Sequence, residues 1–339
     1  MSYALEKKIR DRKVKTIKTV VFTLVSLLLC VGVVLSCVYP PSTWKYYFRL
    51  PKIDTRLDGE LRIHFLDVGQ GDSTIIELPD GKTMLIDGGN GSDETSSTIL
   101  RYLNALQIKE IDYLLVTHAD TDHCGGLDKV VANKKIKKAI VPKTKETVNG
   151  EYASFYSALV KEGCEIVTAS NALHFSVLSD ECAYKLCFLA PSATKLDEME
   201  TVDEEMSNEY SAVVWLDYNG VSTLFTGDIS KSVETDLRIS DGIGLFDNYG
   251  VELDSTEIIK VAHHGSADSS DKEFLGYLQA QTAIISCGVE NEYGHPSQEV
   301  LTSLTALGIQ TYRTDLHGGI IVRIPKGESR WSMQTFGKE

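Results

Sequence analysis

The sequence predicts an α/β fold, a four-layer αββα sandwich, behind an N-terminal transmembrane helix. Three observations carry this expectation. Short apolar runs alternate with helical periodicities along two successive halves of the chain. Several of these runs end in aspartate or histidine followed by glycine or a helix start. Ahead of them all, residues 20–38 form one uncharged apolar stretch.

With 339 residues, the chain suits one large two-layered domain plus an appendage. The appendage is Val20 to Val38, long enough to cross a bilayer as a helix and stopped by Tyr39-Pro40-Pro41. Lys7, Lys8, Arg10, Arg12, Lys13, Lys15 and Lys18 precede it, against Lys45, Arg49, Lys52 and Arg56 in the comparable stretch behind it. The positive-inside rule then puts the N-terminus in the cytoplasm and the rest outside. Trp44, Tyr46, Tyr47 and Phe48 fit an interfacial aromatic belt, which favours a retained anchor. Val34-Leu35-Ser36-Cys37 leaves a lipoprotein cleavage site open, and a cleaved secretory signal is the third reading. All three export the body. The expected organisation is a cytoplasmic basic segment 1–19, an anchor 20–38, a linker 39–58 and a folded body 59–339.

Within the body, strands are expected over Leu61–Val68, Thr74–Leu78 and Thr83–Asp87, with Pro79-Asp80-Gly81 as a tight turn between the last two. A helical period covers Glu94–Leu106. Ile111–Thr117 and Ile136–Val141 read as strands, Tyr152–Lys161 as a helix and Glu165–Thr168 as a strand. The second half repeats the scheme less regularly, with strands at Leu173–Leu178, Tyr184–Leu189, Ala212–Asp217 and Ser222–Thr226, a helix after Asp228, and alternation to the end. Residues 195–209 are too charged to pack and read as a loop, as do residues 240–249, an expected insertion.

Net charge is −14; residues 1–18 contribute seven basic and two acidic groups, which leaves −19 on the remainder. So acidic a body is not a general polyanion binder. Lys134, Lys135, Lys137, Lys138, Lys143 and Lys145 form a local basic cluster with two readings, a solvated surface or a track for a phosphate backbone. Seven cysteines make no disulfide framework in a domain of this size. Cys182 and Cys187, five apart in one expected strand, should face opposite ways, and Cys124 reads as a small packed residue.

The richest segment is Thr117-His118-Ala119-Asp120-Thr121-Asp122-His123-Cys124-Gly125-Gly126, four metal-ligand side chains within six residues straight after a strand. A tight loop there splays His118 and Asp120 one way, Asp122 and His123 another, and so seeds two adjacent cations. Alone it could be a solvated acidic loop. It is accompanied by Leu85-Ile86-Asp87-Gly88-Gly89, Phe225-Thr226-Gly227-Asp228-Ile229 and Val261-Ala262-His263-His264-Gly265-Ser266, each a strand ending in a ligand type. His64 and His174 fall within strands and read as sheet residues; His317 lies in a turn.

These residues resemble the metallo-β-lactamase fold superfamily and, within it, the hydrolase domain of ComEC-type DNA-uptake proteins, over about residues 60–325. The subfamily marks are Asp67-Val68-Gly69-Gln70-Gly71-Asp72-Ser73, Asp120 where most relatives carry histidine, Asn208 and Ser211 before a strand, His263-His264, and Tyr293-Gly294-His295-Pro296. The resemblance implies that Asp87 orients the metal loop, that His118 and Asp120 serve one cation, that Asp122, His123 and one of His263 and His264 serve the other, and that Asp228 bridges both. Likeness to a His-x-Ser form favours His264-Gly265-Ser266, with His263 beside it. Asn208 and Ser211 stand where many relatives have a histidine, which leaves the first cation short of a nitrogen ligand. The resemblance puts the turn carrying Asp67, Gln70 and Asp72 at the site, on the substrate side with Asn208, Ser211, Ser266 and Tyr293; tight-turn chemistry is the other account of Gln70 and Asp72. His295 reads equally as a contact or proton donor to substrate phosphate and as a surface turn residue.

The expected cofactors are two divalent ions, Zn²⁺ or Mn²⁺, the carboxylate at Asp120 hardening the site towards Mn²⁺. The expected activity is that of a membrane-anchored, extracytoplasmic phosphodiester hydrolase acting on DNA, the cations and Asp122, Asp228 and His295 carrying the chemistry. A single span is expected, in place of the multi-span channel of the uptake proteins. Two alternatives stand beside it: a cell-envelope phosphoesterase of the phosphorylcholine esterase type, which suits the acidic body, and a non-catalytic metal-binding accessory module, for which the missing histidine argues. Nothing in the sequence fixes an oligomeric state.

Overall fold

The computed structural model describes residues 3–38, 41–48, 50–177 and 183–337, in two compact units, Met1–Leu50 and Pro51–Glu339. The first unit is helix α1 (Tyr3–Val38) followed by a 3-10 helix over Pro41–Tyr47. At 1.5 Å per residue α1 is about 54 Å long, and its stretch Leu5–Val34 is long and apolar enough to cross a membrane by length and composition. The basic segment 1–19 is therefore largely helical and continuous with the expected span. Hydroxyls that would be unpartnered in lipid bond back along the helix, Thr19 to the Lys15 carbonyl and Thr23 to the Thr19 carbonyl. Tyr39 and Pro40 of the expected stop lie outside the described residues.

The second unit holds two sheets. Its first half runs β1 (Leu61–Phe65), β2 (Thr74–Glu77), β3 (Thr83–Ile86), α2 (Asp93–Ala105), β4 (Glu110–Leu115), α3 (Thr121–Cys124), α4 (Leu127–Asn133), β5 (Lys135–Val141), α5 (Gly150–Glu162) and β6 (Glu165–Thr168). The second runs β7 (His174–Val177), β8 (Tyr184–Ala190), α6 (Ala193–Asp197), β9 (Val213–Tyr218), β10 (Val221–Phe225), α7 (Lys231–Gly242), β11 (Ile258–Lys260), α8 (Lys272–Leu278), β12 (Thr282–Ile285), α9 (Gln298–Ala306), β13 (Gln310–Arg313), α10 (Thr314–His317), β14 (Ile320–Ile324) and β15 (Ser332–Thr335). Strand order is β15-β14-β1-β2-β3-β4-β5-β6 in one sheet and β13-β12-β11-β10-β9-β8-β7 in the other. The last two strands thus return to the first sheet, so the halves of the chain are not the two sheets. Leu178, the last residue expected in the strand from Leu173, and Cys182 lie outside the described residues.

Why a sandwich forms is visible in the alternation of side chains. Ile63 and Phe65 of β1, Val214 and Leu216 of β9 and Ile258 of β11 belong to one buried cluster between the sheets, where Phe65 stacks on Phe225 at 6.1 Å between ring centroids. The intervening positions, such as Val213, Trp215 and Ile259, join Leu237 of α7, Phe274 of α8 and Val300 of α9 in a second cluster. Each sheet is mixed. Strands β3 to β6 run parallel, as do β10 to β13, so within each sheet the C-terminal strand ends share one edge. Loops at such edges are where open α/β sheets carry their chemistry.

Three sequence expectations give way. Residues 66–68 leave the sheet before the glycine turn, so β1 stops at Phe65. Residues 195–209 pack despite their charge: Leu196, Val202 and Ser207 are buried, and the segment holds the end of α6 and two 3-10 turns. Residues 240–249 begin as the last turn of α7, and Phe246 anchors the rest.

The lysine cluster is a paired surface. Lys135 and Lys137 bind Glu110, Lys137 also binds Asp112, Lys138 binds Glu165, and Lys143 donates to the Leu196 carbonyl. Lys134 is buried, its Nζ 2.6 Å from the carbonyl of Ile108. With Lys135, Lys137 and Lys138 paired to carboxylates, that part of the cluster favours the solvated-surface account over a phosphate track.

Candidate metal centre

Strand β4 delivers the chain to the sheet edge, and residues 116–126 turn there into α3 and α4. Gly88 and Gly126 permit close approach, since a Cβ at Gly88 would run into Leu127 and one at Gly126 into the Gly88 carbonyl. Asp87, left-handed at φ 58°, fastens this loop: its Oδ1 accepts from the Thr117 backbone N–H at 2.8 Å, and its Oδ2 lies 2.7 Å from Thr117 Oγ1 and 2.9 Å from His123 Nδ1. Thr117 Oγ1 also lies 3.0 Å from His118 Nδ1. Each imidazole is thus gripped at Nδ1 and turns Nε2 forward.

Asp228, on the loop after β10, is where these nitrogens converge. Its Oδ2 lies 3.2 Å from His123 Nε2, 3.7 Å from His264 Nε2, 3.8 Å from His263 Nε2 and 4.0 Å from His118 Nε2. Asp120 Oδ2 lies 3.7 Å from His118 Nε2, and Asp122 Oδ2 3.1 Å from His264 Nε2. His118 with His123 and Asp228, and Asp122 with His123 and His264, each bring one donor atom per residue within 4.8 Å of one another. His118 Nε2, His123 Nε2 and Asp228 Oδ1 are buried without completing a hydrogen bond to protein. Buried polar atoms left open in a ring of nitrogens and carboxylates fit divalent cations.

Electrostatics agree. Burial and the charge of His123 push His118 down to about 4, so its ring is neutral. Burial also works against a charged His123, but Asp228 and Asp87 outweigh it and raise its pKa well above the ordinary value. At Asp228 burial favours the neutral acid, and the charges of His123 and His264 overcome that, holding the carboxylate far below its usual range. Asp122 is depressed in the same way, with the His264 hydrogen bond leading. Burial raises Asp120, which is hydrogen-bonded to Ser207. Burial likewise opposes a charged His264, and Asp228 and Asp72 outweigh it, so its pKa is raised too.

The double histidine separates clearly. Both residues are left-handed, at φ 49° and 54°, a strained conformation for side chains of this size. His264 is buried, with Nδ1 2.9 Å from the Ser286 carbonyl and Nε2 towards Asp122. His263 is 29% exposed and stands at the mouth, 5.5 Å from His295 between ring centroids.

Of the residues expected on the substrate side, several are buried and bonded within the fold. Ser211 is fully buried, 3.0 Å from His118 Nδ1, and accepts from the Asp228 backbone N–H at 3.2 Å. Asp72 is buried in an ion pair with Lys260. Ser266 is buried and its Oγ accepts from the Asp268 backbone N–H. Asn208 is half-buried, with an unpartnered Oδ1. Asp67 lines a cleft with Asn90, Ser92 and Val289, none of them an expected ligand.

Gln70 and Tyr293 line a cavity of about 370 Å³ beside Asp122, with Asn90, Thr121, Glu290 and Glu292. The exposed Tyr293 ring is nearly parallel to His295, 5.9 Å away. His295 is half-buried, with its pKa lowered by burial and then by His263, whose ring lies 5.5 Å away. Lys260, Thr117 and Ser207 were not anticipated. Lys260 carried a signal, a lone charge in the apolar run Ile258-Ile259-Lys260-Val261-Ala262.

His64 is a buried sheet residue bound to Glu77 at 2.8 Å, His174 stacks on Tyr249, and His317 Nδ1 lies 3.0 Å from the Arg313 carbonyl. Cys124 is packed, its thiol against the Ala119 carbonyl.

A family model described as the metallo-beta-lactamase superfamily matches residues 66–289. Over 289 residues the chain is 31% identical to ComE operon protein 3 of Bacillus subtilis, covering 79% of this chain and 33% of that protein. Over 273 residues it is 28% identical to Competence protein ComA of Neisseria gonorrhoeae, covering 80% of this chain and 33% of the relative. The chain therefore spans about a third of the length of these curated relatives. Among solved structures, a variant of CmlA beta-hydroxylase aligns with a TM-score of 0.50 at 13% identity, over 79% of this chain and 55% of that one, a likeness of fold alone.

Proposed function

This chain belongs to the metallo-beta-lactamase superfamily, whose members are generally metal-dependent hydrolases, and from that premise we propose that it is a membrane-anchored phosphodiesterase with an extracytoplasmic catalytic body acting on DNA. The observation that carries the reading is the convergence of four imidazole Nε2 atoms, from His118, His123, His263 and His264, within 4.0 Å of one carboxylate oxygen of Asp228. His118, Asp120 and Asp228 would hold one divalent cation, Zn²⁺ or Mn²⁺; Asp122, His123, His264 and Asp228 would hold the other. Such ions supply Lewis acidity towards phosphoryl oxygens and an activated water.

The protein's own part is orientation and proton handling. Asp87, Thr117 and Ser211 fix the imidazoles from behind. Tyr293 and Gln70, which line the cavity beside Asp122, would receive the groups flanking the phosphate, and His295 would pass a proton to the leaving oxygen. DNA as substrate draws on the similarity to two competence proteins. The paired lysines and the acidic lining of the Tyr293 cavity by Glu290 and Glu292 favour a second substrate, a small phosphodiester with a cationic headgroup.

The full chain in detergent, loaded with Mn²⁺ or Zn²⁺, should cleave single-stranded DNA and bis(p-nitrophenyl) phosphate. Asp228→Asn should lower both by roughly a hundredfold or more, since even outer partners of a metal site are worth 10–100-fold. Cleavage of a choline phosphodiester alone would select the second substrate, and bound metal with no turnover would point to the accessory module.

A further inference from the structure

Lys260 ends β11, between Phe225 of β10 and Ile284 of β12 in the register of the second sheet. Alternation along β11 puts Ile258 in the core between the sheets and Ile259 against the outer helices, so Lys260 points back between the sheets. There it is 3% exposed and meets Asp72, on the turn that joins β1 to β2 of the first sheet. A buried charge pair thus spans the sandwich at the edge that carries the donors.

Both partners are tied to ligand-bearing segments. The Asp72 backbone N–H donates to the Asp122 carbonyl at 3.1 Å, and its carbonyl accepts from Gly89 N–H at 2.8 Å, two residues past Asp87. Its Oδ1 lies 3.6 Å from His264 Nδ1 and its Oδ2 3.9 Å from His123 Nδ1. The chain after Lys260 leads within four residues to His263 and His264 in their left-handed turn, and the Lys260 carbonyl is held by Thr226 Oγ1 at 2.5 Å, two residues before Asp228. Asp122, from the first half, and His264, from the second, must meet to complete one donor set, and they do so at 3.1 Å.

We propose that the Lys260–Asp72 pair is a fastener between the two sheets that sets the register of the metal edge, which makes Lys260 a positioning residue of the centre. A buried ion pair is a poor source of stability, because desolvation consumes most of the Coulombic gain and apolar replacements of like volume are often as stable. Its directionality is what an apolar pair cannot supply. Burial opposes the charge on Lys260, but Asp72 and Asp228 outweigh it and keep the ammonium protonated, so it acts as a fixed cation and not as a ligand.

The inference rests on the reading that this edge holds two cations, and metal binding separates the two. Calorimetric titration of Mn²⁺ or Zn²⁺ into the full chain in detergent would compare wild type, Lys260→Met, Asp72→Asn and the double variant, beside the unfolding midpoint of each metal-free protein. The double variant removes both charges, so it should unfold nearer to wild type than either single variant while binding metal roughly tenfold to a hundredfold more weakly. Wild-type metal affinity in the double variant would reduce the pair to packing and overturn the proposal, as would failure of the double variant to fold. No metal uptake by wild type would sink the two-cation reading itself, and this one with it.

Discussion

His264 turns a buried Nε2 to Asp122 with Nδ1 against the Ser286 carbonyl, whereas His263 stands part-exposed at the mouth. His264→Ala should therefore remove one of two cations, read as metal per chain by elemental analysis, while His263→Ala should keep two and weaken them by no more than roughly tenfold. The reverse pattern would exchange their roles. Acid should also strip the centre. Imidazoles bind metal in the neutral form, and although burial opposes their charge, Asp228 and Asp87 raise the pKa of His123, as Asp228 and Asp72 raise that of His264. Loading then releases protons, and affinity falls as pH falls, by roughly tenfold per proton per pH unit. His118, neutral down to about 4, adds nothing above that range. Titrations at pH 6 and 7 in buffers of differing ionisation enthalpy would read the proton count; equal affinities would contradict the scheme. At this scale the donor types were legible in the sequence. Of their supporters the family resemblance gives Asp87, but it puts Ser211 on the substrate side and leaves Ser207 unmarked; the fold brings these two serines to His118 and Asp120.

The elements that matter most are the tight turns at the sheet edge. Gly71 adopts φ 128°, and a Cβ there would collide with the Asp122 carbonyl. Gly71→Ala should push the metal loop away from the turn, costing on the order of 1–3 kcal/mol from strain and lowering metal content; unchanged thermal unfolding and unchanged metal content would rule the contact unimportant. Apolar alternation announced the strands and left their ends uncertain: β6 falls on the expected residues, while β1 ends at Phe65, where the glycine turn takes over. Residues 195–209 misled for a physical reason. Their charged side chains face water, and a few apolar or small ones, Leu196, Val202 and Ser207, suffice to dock the segment.

For the whole molecule, the N-terminal apolar helix and the proposed orientation give a direct prediction. Protease added to intact spheroplasts should digest the body beyond the linker and spare the basic segment, and the chain should stay with membranes through an alkaline carbonate wash; protection of the body would reverse the topology. By itself the sequence determined the kinds of donor atom, their places at strand ends, the two-sheet class and the apolar span, because each is written in local periodicity and residue chemistry. Which donors share a cation came only as an implication of the family resemblance, and only the tertiary structure decided how their atoms meet. Asp122 and His264 lie 142 positions apart, and their approach, like the pairing of Asp72 with Lys260, is set by how two sheets pack face to face, a relation that no local pattern encodes.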